Sequence, residues 1–325
     1  MKRISVVVPT YNEELNIQMV YDRVTAVFRE SLPQYELELL FIDNASQDQT
    51  QVLIEALCQS HSNVRAIFNA RNFGFSRSTF YGLTQATGDC AILLFADLQD
   101  PPDIIPDFVK KWESGAGVVV GIKQSSSESP IMYRIRSLYY RFISVISDIA
   151  QFPQFDGFGL YDRKFLEVIR GLGDSLPYLR GIVSELGFHI ECITYHQQVR
   201  EKGKSHFNFL KMYDVAMLGI TSYSRAAMRI ATFMGMGIGG ISIIIALYTL
   251  IRKLLAWNSF PVGSAAISIG VFFLGGMQLM FIGIVGEYIA NINTRVMHRP
   301  LVVEEKRINF QNNENQPFRH SNRVS

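Results

Sequence analysis

Between Arg229 and Glu287 the chain carries two charged residues, Arg252 and Lys253, and they are adjacent. The uncharged stretches on either side, residues 230–251 and 254–286, are each long enough for a helix that crosses a bilayer, which takes about 20 residues. The second span is expected from near Pro261 to Val285. Ordinary globular helices are neither so long nor so uniformly apolar. The sequence therefore divides into a folded part, residues 1–228, a region of two transmembrane helices, residues 229–290, and a C-terminal tail, residues 291–325. From about Asn309 that tail is polar, rich in Asn and Gln, and reads as disordered. Gly235 and Gly239 stand at a spacing that permits close helix packing. Lys211, Arg225 and Arg229 precede the first span, and Arg295, Arg299, Lys306 and Arg307 follow the second, outweighing the pair between them. Basic flanks stay inside, so both termini are expected in the cytoplasm, in a multi-pass protein of the inner (cytoplasmic) membrane.

The folded part alternates short apolar runs with amphipathic segments. Residues 4–8, 37–42, 64–68, 91–95 and 118–121 read as strands, and residues 15–28, 80–86 and 104–112 as helices. Ser46 and Gln49 have the spacing of a capping box, for a helix running to about Cys58. Such alternation implies an α/β domain with a largely parallel sheet covered on both faces, whose ligands bind beyond the carboxyl ends of the strands. Residues 123–130 read as a Ser-rich mobile loop. Residues 131–149 interleave Arg134, Arg136 and Arg141 with apolar side chains, which suits an interfacial helix on a lipid surface or an ordinary surface helix. A net charge of +2 excludes a global field for nucleic acid. Cys58, Cys90 and Cys192 are odd in number and form no CxxC pair, which fits a reduced compartment. Lys2 and Arg3 lead into an apolar run ended at Pro9, too short for a signal peptide.

Three acidic residues fall at expected strand ends: Glu13 after the first, Asp43 after the second and Asp97 after the fourth. Each alone would pass for a cap or turn residue. Together at one sheet edge they make a site. A carboxylate there can accept hydrogen bonds from a base or ribose. Asp97 beside the amide oxygen of Gln99 offers hard oxygens for Mg²⁺ or Mn²⁺ bridging a diphosphate. The stretch Arg200-Glu201-Lys202-Gly203-Lys204-Ser205-His206, just before the apolar region, is a basic loop suited to clamping a phosphate.

The strings VVVPTYNEE, FIDNASQDQT, ARNFGFSRSTFYGL, ATGD, ADLQDPP, REKGKSHF and GEYI resemble family 2 glycosyltransferases, and more closely the polyprenyl-phosphate enzymes of the bactoprenol glucosyl and dolichyl-phosphate mannose type. The likeness runs from Ser5 to about Pro300. It implies a GT-A (Rossmann-like) domain followed by two transmembrane helices. It further implies that Pro9, Tyr11, Glu13 and Asp43 hold the nucleotide, that Asp97 and Gln99 hold the metal, and that Arg200 and Ser205, with Lys204 nearby, face phosphate groups. A homo-oligomer is in keeping with it. The chain departs from the pattern at three places. Phe95 stands where the family usually has Asp. Gly157-Phe158-Gly159 stands where it often has Asp-Phe-Arg, with Asp156 one position early as the candidate base. His206 stands where it often has Lys.

The expected function is inverting transfer of a sugar from a nucleotide-sugar, a UDP-sugar, to a polyprenyl phosphate in the lipid membrane. The contrasting reading is a non-catalytic membrane scaffold or sensor that binds nucleotide-sugar or lipid, which Phe95 and Gly157 favour and Asp97, Gln99 and the basic loop oppose. A processive polysaccharide synthase would carry a QxxRW-type motif and more spans, and the sequence has neither.

Overall fold

In a computed structural model of the chain, the structure describes residues 1–125, 152, 154–198, 237, 244, 251, 255, 264–297 and 299–310. They fall in two compact units, one made of the described residues up to 198 and from 297 onward, the other of those between 237 and 296. The first unit is built on an eight-stranded sheet. Its strands are β1 Arg3–Thr10, β2 Glu36–Asp43, β3 Val64–Asn69, β4 Cys90–Leu93, β5 Val118–Ser125, β6 Gly159–Asp162, β7 Ile190–His196 and β8 Glu304–Ile308, in the order β7-β5-β6-β4-β1-β2-β3-β8. The helices are α1 Ile17–Ser31, α2 Thr50–Ser60, α3 Phe75–Gln85, α4 Ile105–Glu113, α5 Arg163–Gly171 and α6 Leu179–Glu185.

Alternate residues of each strand serve opposite faces, as the period of two demands. Val6 and Val8 of β1 join Val20 and Val24 of α1, Ile54 of α2 and Phe108 of α4 in one apolar layer. Val7 joins Phe80 and Leu83 of α3 and Phe165 and Leu166 of α5 in the other. Strands buried on both faces lose the polar alternation of a half-exposed strand, which explains their continuous apolar runs.

The expectation of a largely parallel sheet holds for β4, β1, β2 and β3, which are mutually parallel, and for the parallel pair β5 and β7. Elsewhere it is corrected. β6 runs antiparallel to both β4 and β5, and β8 runs antiparallel to β3, so the sheet is mixed. Four residues of β6 and the charged run of β8 carry no apolar signature of their own.

The Ser46 capping box is also corrected. α2 starts at Thr50; its N-cap Gln49 makes no side-chain cap, and Asp48 Oδ1 accepts the Thr50 N–H at 3.0 Å. Ser46 instead donates to Asp43 and accepts the Asn12 N–H at 2.8 Å. α3 begins at Phe75, five residues ahead of the expected start, after Gly74 at φ 90°. A left-handed φ favours glycine, and the exposed first turn hides the helix from an apolar count. β5 runs on to Ser125, so Lys123 belongs to a strand rather than to the loop assigned from its Ser-rich sequence.

Near the starts of β1, β2 and β3, Ser5 and Thr87 both donate to Glu38, and Arg65 pairs with Glu38 at 2.8 Å. Gly88 fits between them: a Cβ there would meet the Arg3 and Cys90 carbonyl oxygens and the Ser5 nitrogen at 2.8 Å each. The ATGD string thus locks strands together away from the candidate site.

In the second unit, α7 runs from Ser264 to Val296. Among the described residues no helix is long and apolar enough to cross a membrane. The expected first span, residues 230–251, lies outside the described residues except for positions 237, 244 and 251, as do the side chains of residues 264–273. Residues 126–150 and the basic loop with Arg200, Lys204, Ser205 and His206 also lie outside them.

Candidate active site

Parallel strands β1, β2 and β4 end at the same edge, which brings Glu13, Asp43 and Asp97 to one side of the sheet. The loop after β1 is stitched to the loop after β2. Besides the Asn12–Ser46 bond, the Gln47 N–H donates to Asn12 Oδ1 at 2.8 Å and the Glu13 N–H to Thr50 Oγ1 at 2.9 Å. Asn12 at φ 55° and Ala45 at φ 60° turn the two loops sharply enough to meet. Glu13 accepts from Asn16 Nδ2 at 2.6 Å. Asp43 is fully buried and accepts from Thr10, from Ser46 and from Gln51 Nε2 at 2.8 Å. The arrangement makes Asp43 the peg of the loop pair, with Pro9 and Tyr11 on the partly exposed backbone beside it.

A second set of amides extends this edge. Asn44 Oδ1 accepts from Asn69 Nδ2 at 3.1 Å and from the Phe73 N–H at 3.0 Å, and Asn44 Nδ2 donates to Asn72 Oδ1 at 2.9 Å. Asn72 in turn accepts the Gly74 N–H, so the loop leading into α3 is hung on the end of β2.

The densest electrostatics lie past β4. Asp97 Oδ1 accepts the Gln99 N–H at 3.3 Å, across a turn in which Leu98 has φ 53°. Gln99 is held from β7's side, its carbonyl accepting the Gln198 N–H at 2.9 Å and its Oε1 accepting from Gln197 Nε2 at 3.4 Å. Asp100 is buried and accepts from the Tyr195 hydroxyl at 2.5 Å. Lys123 Nζ lies 2.5 Å from Asp156 Oδ2 and 3.7 Å from Asp100 Oδ1. Burial, then Asp156 and Asp97, push the Asp100 carboxyl up to about 7, against the opposing pull of Lys123 and the Tyr195 hydroxyl. Burial would lower Lys123, but Asp156, Asp100 and Asp97 outweigh it and raise it above its ordinary value. Burial foremost, with Asp156 and Asp100, drives the Tyr195 hydroxyl far upward.

Asp100, Lys123 and Tyr195 are therefore part of the site, though the sequence singled out neither Lys123 nor Tyr195. Asp100 was visible in the string ADLQDPP. Lys123 could have been found by extending the strand at 118–121 by two residues; Tyr195 gave no signal.

Asp156 and Gly157 explain one departure from the family pattern. Gly157 has φ 120°, and a Cβ there would lie 3.2 Å from Leu93 Cδ2 and 3.7 Å from Leu179 Cδ2. A side chain at 157 would be strained in backbone and crowded in space. The acidic group sits one residue earlier, where its Oδ1 accepts the Phe158 N–H at 3.2 Å and its other oxygen meets Lys123.

Among the described residues no three His, Cys, Asp or Glu side chains converge to hold a metal by themselves. The donor set fits a looser arrangement. Mg²⁺ is commonly bound through one or two carboxylates, with waters and substrate phosphates supplying the rest. Among the described residues, Lys123 lies in the field of the three carboxylates Asp97, Asp100 and Asp156.

A family model described as Glycosyl transferase family 2 matches residues 5–172. The sequence is 34% identical over 306 residues to the SfII prophage-derived bactoprenol glucosyl transferase of Shigella flexneri, covering 94% of this chain and 98% of that protein. It is 32% identical over 299 residues to a prophage bactoprenol glucosyl transferase homolog of Escherichia coli strain K12, covering 92% and 97%. Among solved structures, glucosyl-3-phosphoglycerate synthase of Mycobacterium tuberculosis in complex with uridine-diphosphate is similar with a TM-score of 0.46 and 19% identity, covering 68% of this chain and 79% of that one.

Proposed function

The chain belongs to glycosyl transferase family 2, and from that premise we propose that this glycosyltransferase moves a sugar from a UDP-sugar to a polyprenyl phosphate, with inversion at the anomeric carbon. The GT-A-like α/β domain with its mixed sheet supplies the donor site at the ends of β1, β2 and β4. The observation that carries the reading is Asp97 at that edge, in a chain that is similar over almost its whole length to relatives named bactoprenol glucosyl transferase.

In the reaction an oxygen of the lipid phosphate forms the new bond to the anomeric carbon. The bond from that carbon to the diphosphate breaks, and the nucleoside diphosphate leaves with the electron pair. A hydroxyl acceptor would need a base. A phosphate monoester has a second pKa of about 6 and is already mostly dianionic at pH 7. Asp156, engaged with Lys123, then orients the acceptor side of the site and holds Lys123 charged; it removes no proton. Asp97 with Gln99 would hold Mg²⁺ or Mn²⁺, which when bound offsets the charge of the leaving diphosphate. Arg200, Lys204 and Ser205 are assigned to the lipid phosphate because their loop precedes the apolar region in sequence. Bringing two anions together is the main task, and positioned cations perform it. The uncharged stretches 230–251 and 254–286 are assigned as the two membrane spans, with the catalytic unit in the cytoplasm.

Purified full-length protein incubated with a panel of UDP-sugars and a short polyprenyl phosphate is expected to give a polyprenyl-phosphate sugar from at least one donor, identified by mass. Binding of UDP with no product from any donor would overturn the transfer reading in favour of a nucleotide-sugar sensor.

A further inference from the structure

Phe95 lies where the family resemblance would place an Asp, two residues before Asp97. Its ring centroid is 5.4 Å from that of Phe75, with the planes tilted by 49°. Phe75 sits on the first turn of α3 and exposes 49% of its surface, although large apolar side chains in this unit are mostly buried. On its other side Phe95 reaches Gly157: its Cζ lies 3.8 Å from where a Cβ at that glycine would be. The ring pair thus lies between Asp97, two residues on from Phe95 in the chain, and the Asp156–Gly157 turn that Phe95 approaches. An Asp at 95 would accept strong hydrogen bonds and ligate a metal ion through oxygen; a phenyl ring offers only its weakly negative π face.

We infer that Phe75 and Phe95 form an aromatic wall against the hexose of the nucleotide-sugar donor, and that the chain selects its donor by the apolar face of that hexose. This rests on the donor reading proposed above. A nucleotide with its base at β1 and β2 and its diphosphate at Asp97 carries its sugar onward from Asp97 toward the Asp156–Gly157 turn, and Phe95 bridges those two places. A pyranose offers a face of C–H bonds, electropositive at the hydrogens, which suits the negative face of an aromatic ring. Gly157 projects no side chain beside the ring. Selection of this kind has a chemical consequence. A site that hydrogen-bonds a hydroxyl rejects the analogue lacking it severely, whereas an apolar wall discriminates weakly between a hexose and its deoxy or N-acetyl relatives.

The test is binding of UDP and of UDP-glucose, UDP-galactose and UDP-N-acetylglucosamine to the full chain by calorimetry, with saturation-transfer NMR on the sugar protons. At least one UDP-hexose is expected to bind more tightly than UDP, with saturation reaching its ring C–H protons. Phe75→Ala, at an exposed position, is expected to weaken that UDP-hexose about 3- to 10-fold, the range of one aromatic contact, while UDP changes less than 2-fold. Phe95→Leu keeps an apolar group packed against the core and is expected to act in the same direction. Equal weakening of UDP and UDP-hexose in Phe75→Ala would assign the rings to the nucleotide and overturn the wall. So would unchanged binding of both, or no UDP-hexose exceeding UDP. Failure of the wild-type chain to bind UDP at all would be a different result, overturning the donor reading itself.

Discussion

Lys123 stands between carboxylates that would otherwise repel each other, with its side chain only 14% exposed. Removing one partner of a buried pair leaves its charges uncompensated, at a cost of about 3–5 kcal/mol. Asp156 is partly open to solvent, so Lys123→Met is expected near the lower end, about 3 kcal/mol, in denaturant unfolding. Adding Asp156→Asn to that variant should recover part of the loss, because it removes one of the stranded charges. Catalysis separates the same residues differently. Asp97→Asn keeps the size of the side chain but removes a charge that a hard cation needs, and transfer should fall almost to background. Asp156→Asn should lower turnover far less, and its rate should still rise with ionisation of the lipid phosphate near pH 6, read from initial rates across pH 5–8. Abolished turnover in Asp156→Asn with donor and lipid still bound would make Asp156 the base. Asp97 was legible in the sequence because it follows an apolar strand directly. The cluster around it was not, since Lys123 and Tyr195 reach it from β5 and β7, far along the chain.

At the scale of elements, β8 ties the C-terminal segment to the sheet domain. It pairs with β3, and just before it Val302 is buried and the Val303 carbonyl accepts the Ala70 N–H at 2.9 Å. Tyr81 donates to Glu304 at 2.7 Å, and Asn309 Nδ2 donates to the carbonyls of Cys58 at 2.7 Å and Val64 at 2.8 Å. Asn309→Ala strands those carbonyls and should cost about 1–3 kcal/mol in thermal or denaturant unfolding. Deleting residues 301–325 uncovers the edge of β3, every residue of which is buried, and should produce aggregates by size-exclusion chromatography. A truncated chain that stays monodisperse with an unchanged melting temperature would show that β8 contributes nothing. This strand was the element least legible beforehand. Glu304-Glu305-Lys306-Arg307-Ile308 has one apolar residue, and what makes it a strand is the waiting edge of β3 together with partners such as Tyr81 and Glu55. The buried strands β1, β2 and β3 could be read directly, because burial on both faces writes itself as an apolar run.

For the whole molecule, the proposed two-span arrangement places both termini on one side of the membrane. Reporter fusions at the C-terminus and at Asn258 are expected to report opposite compartments, and agreement between them would sink the arrangement. The family and the transfer chemistry were legible because their motifs follow the strands in chain order. The packing of β6 between β4 and β5 was not, since it depends on a segment returning from far along the chain. The strand order also sets a timetable for synthesis. β3 is complete at Asn69, yet its outer neighbour ends at Ile308, about 240 residues later. At roughly 5–20 residues per second, that edge waits on the order of 12 to 48 seconds for its partner on a translating ribosome. Until the last tenth of the chain emerges, the nascent protein carries an open apolar strand edge, the kind of surface that invites aggregation and that chaperones shield.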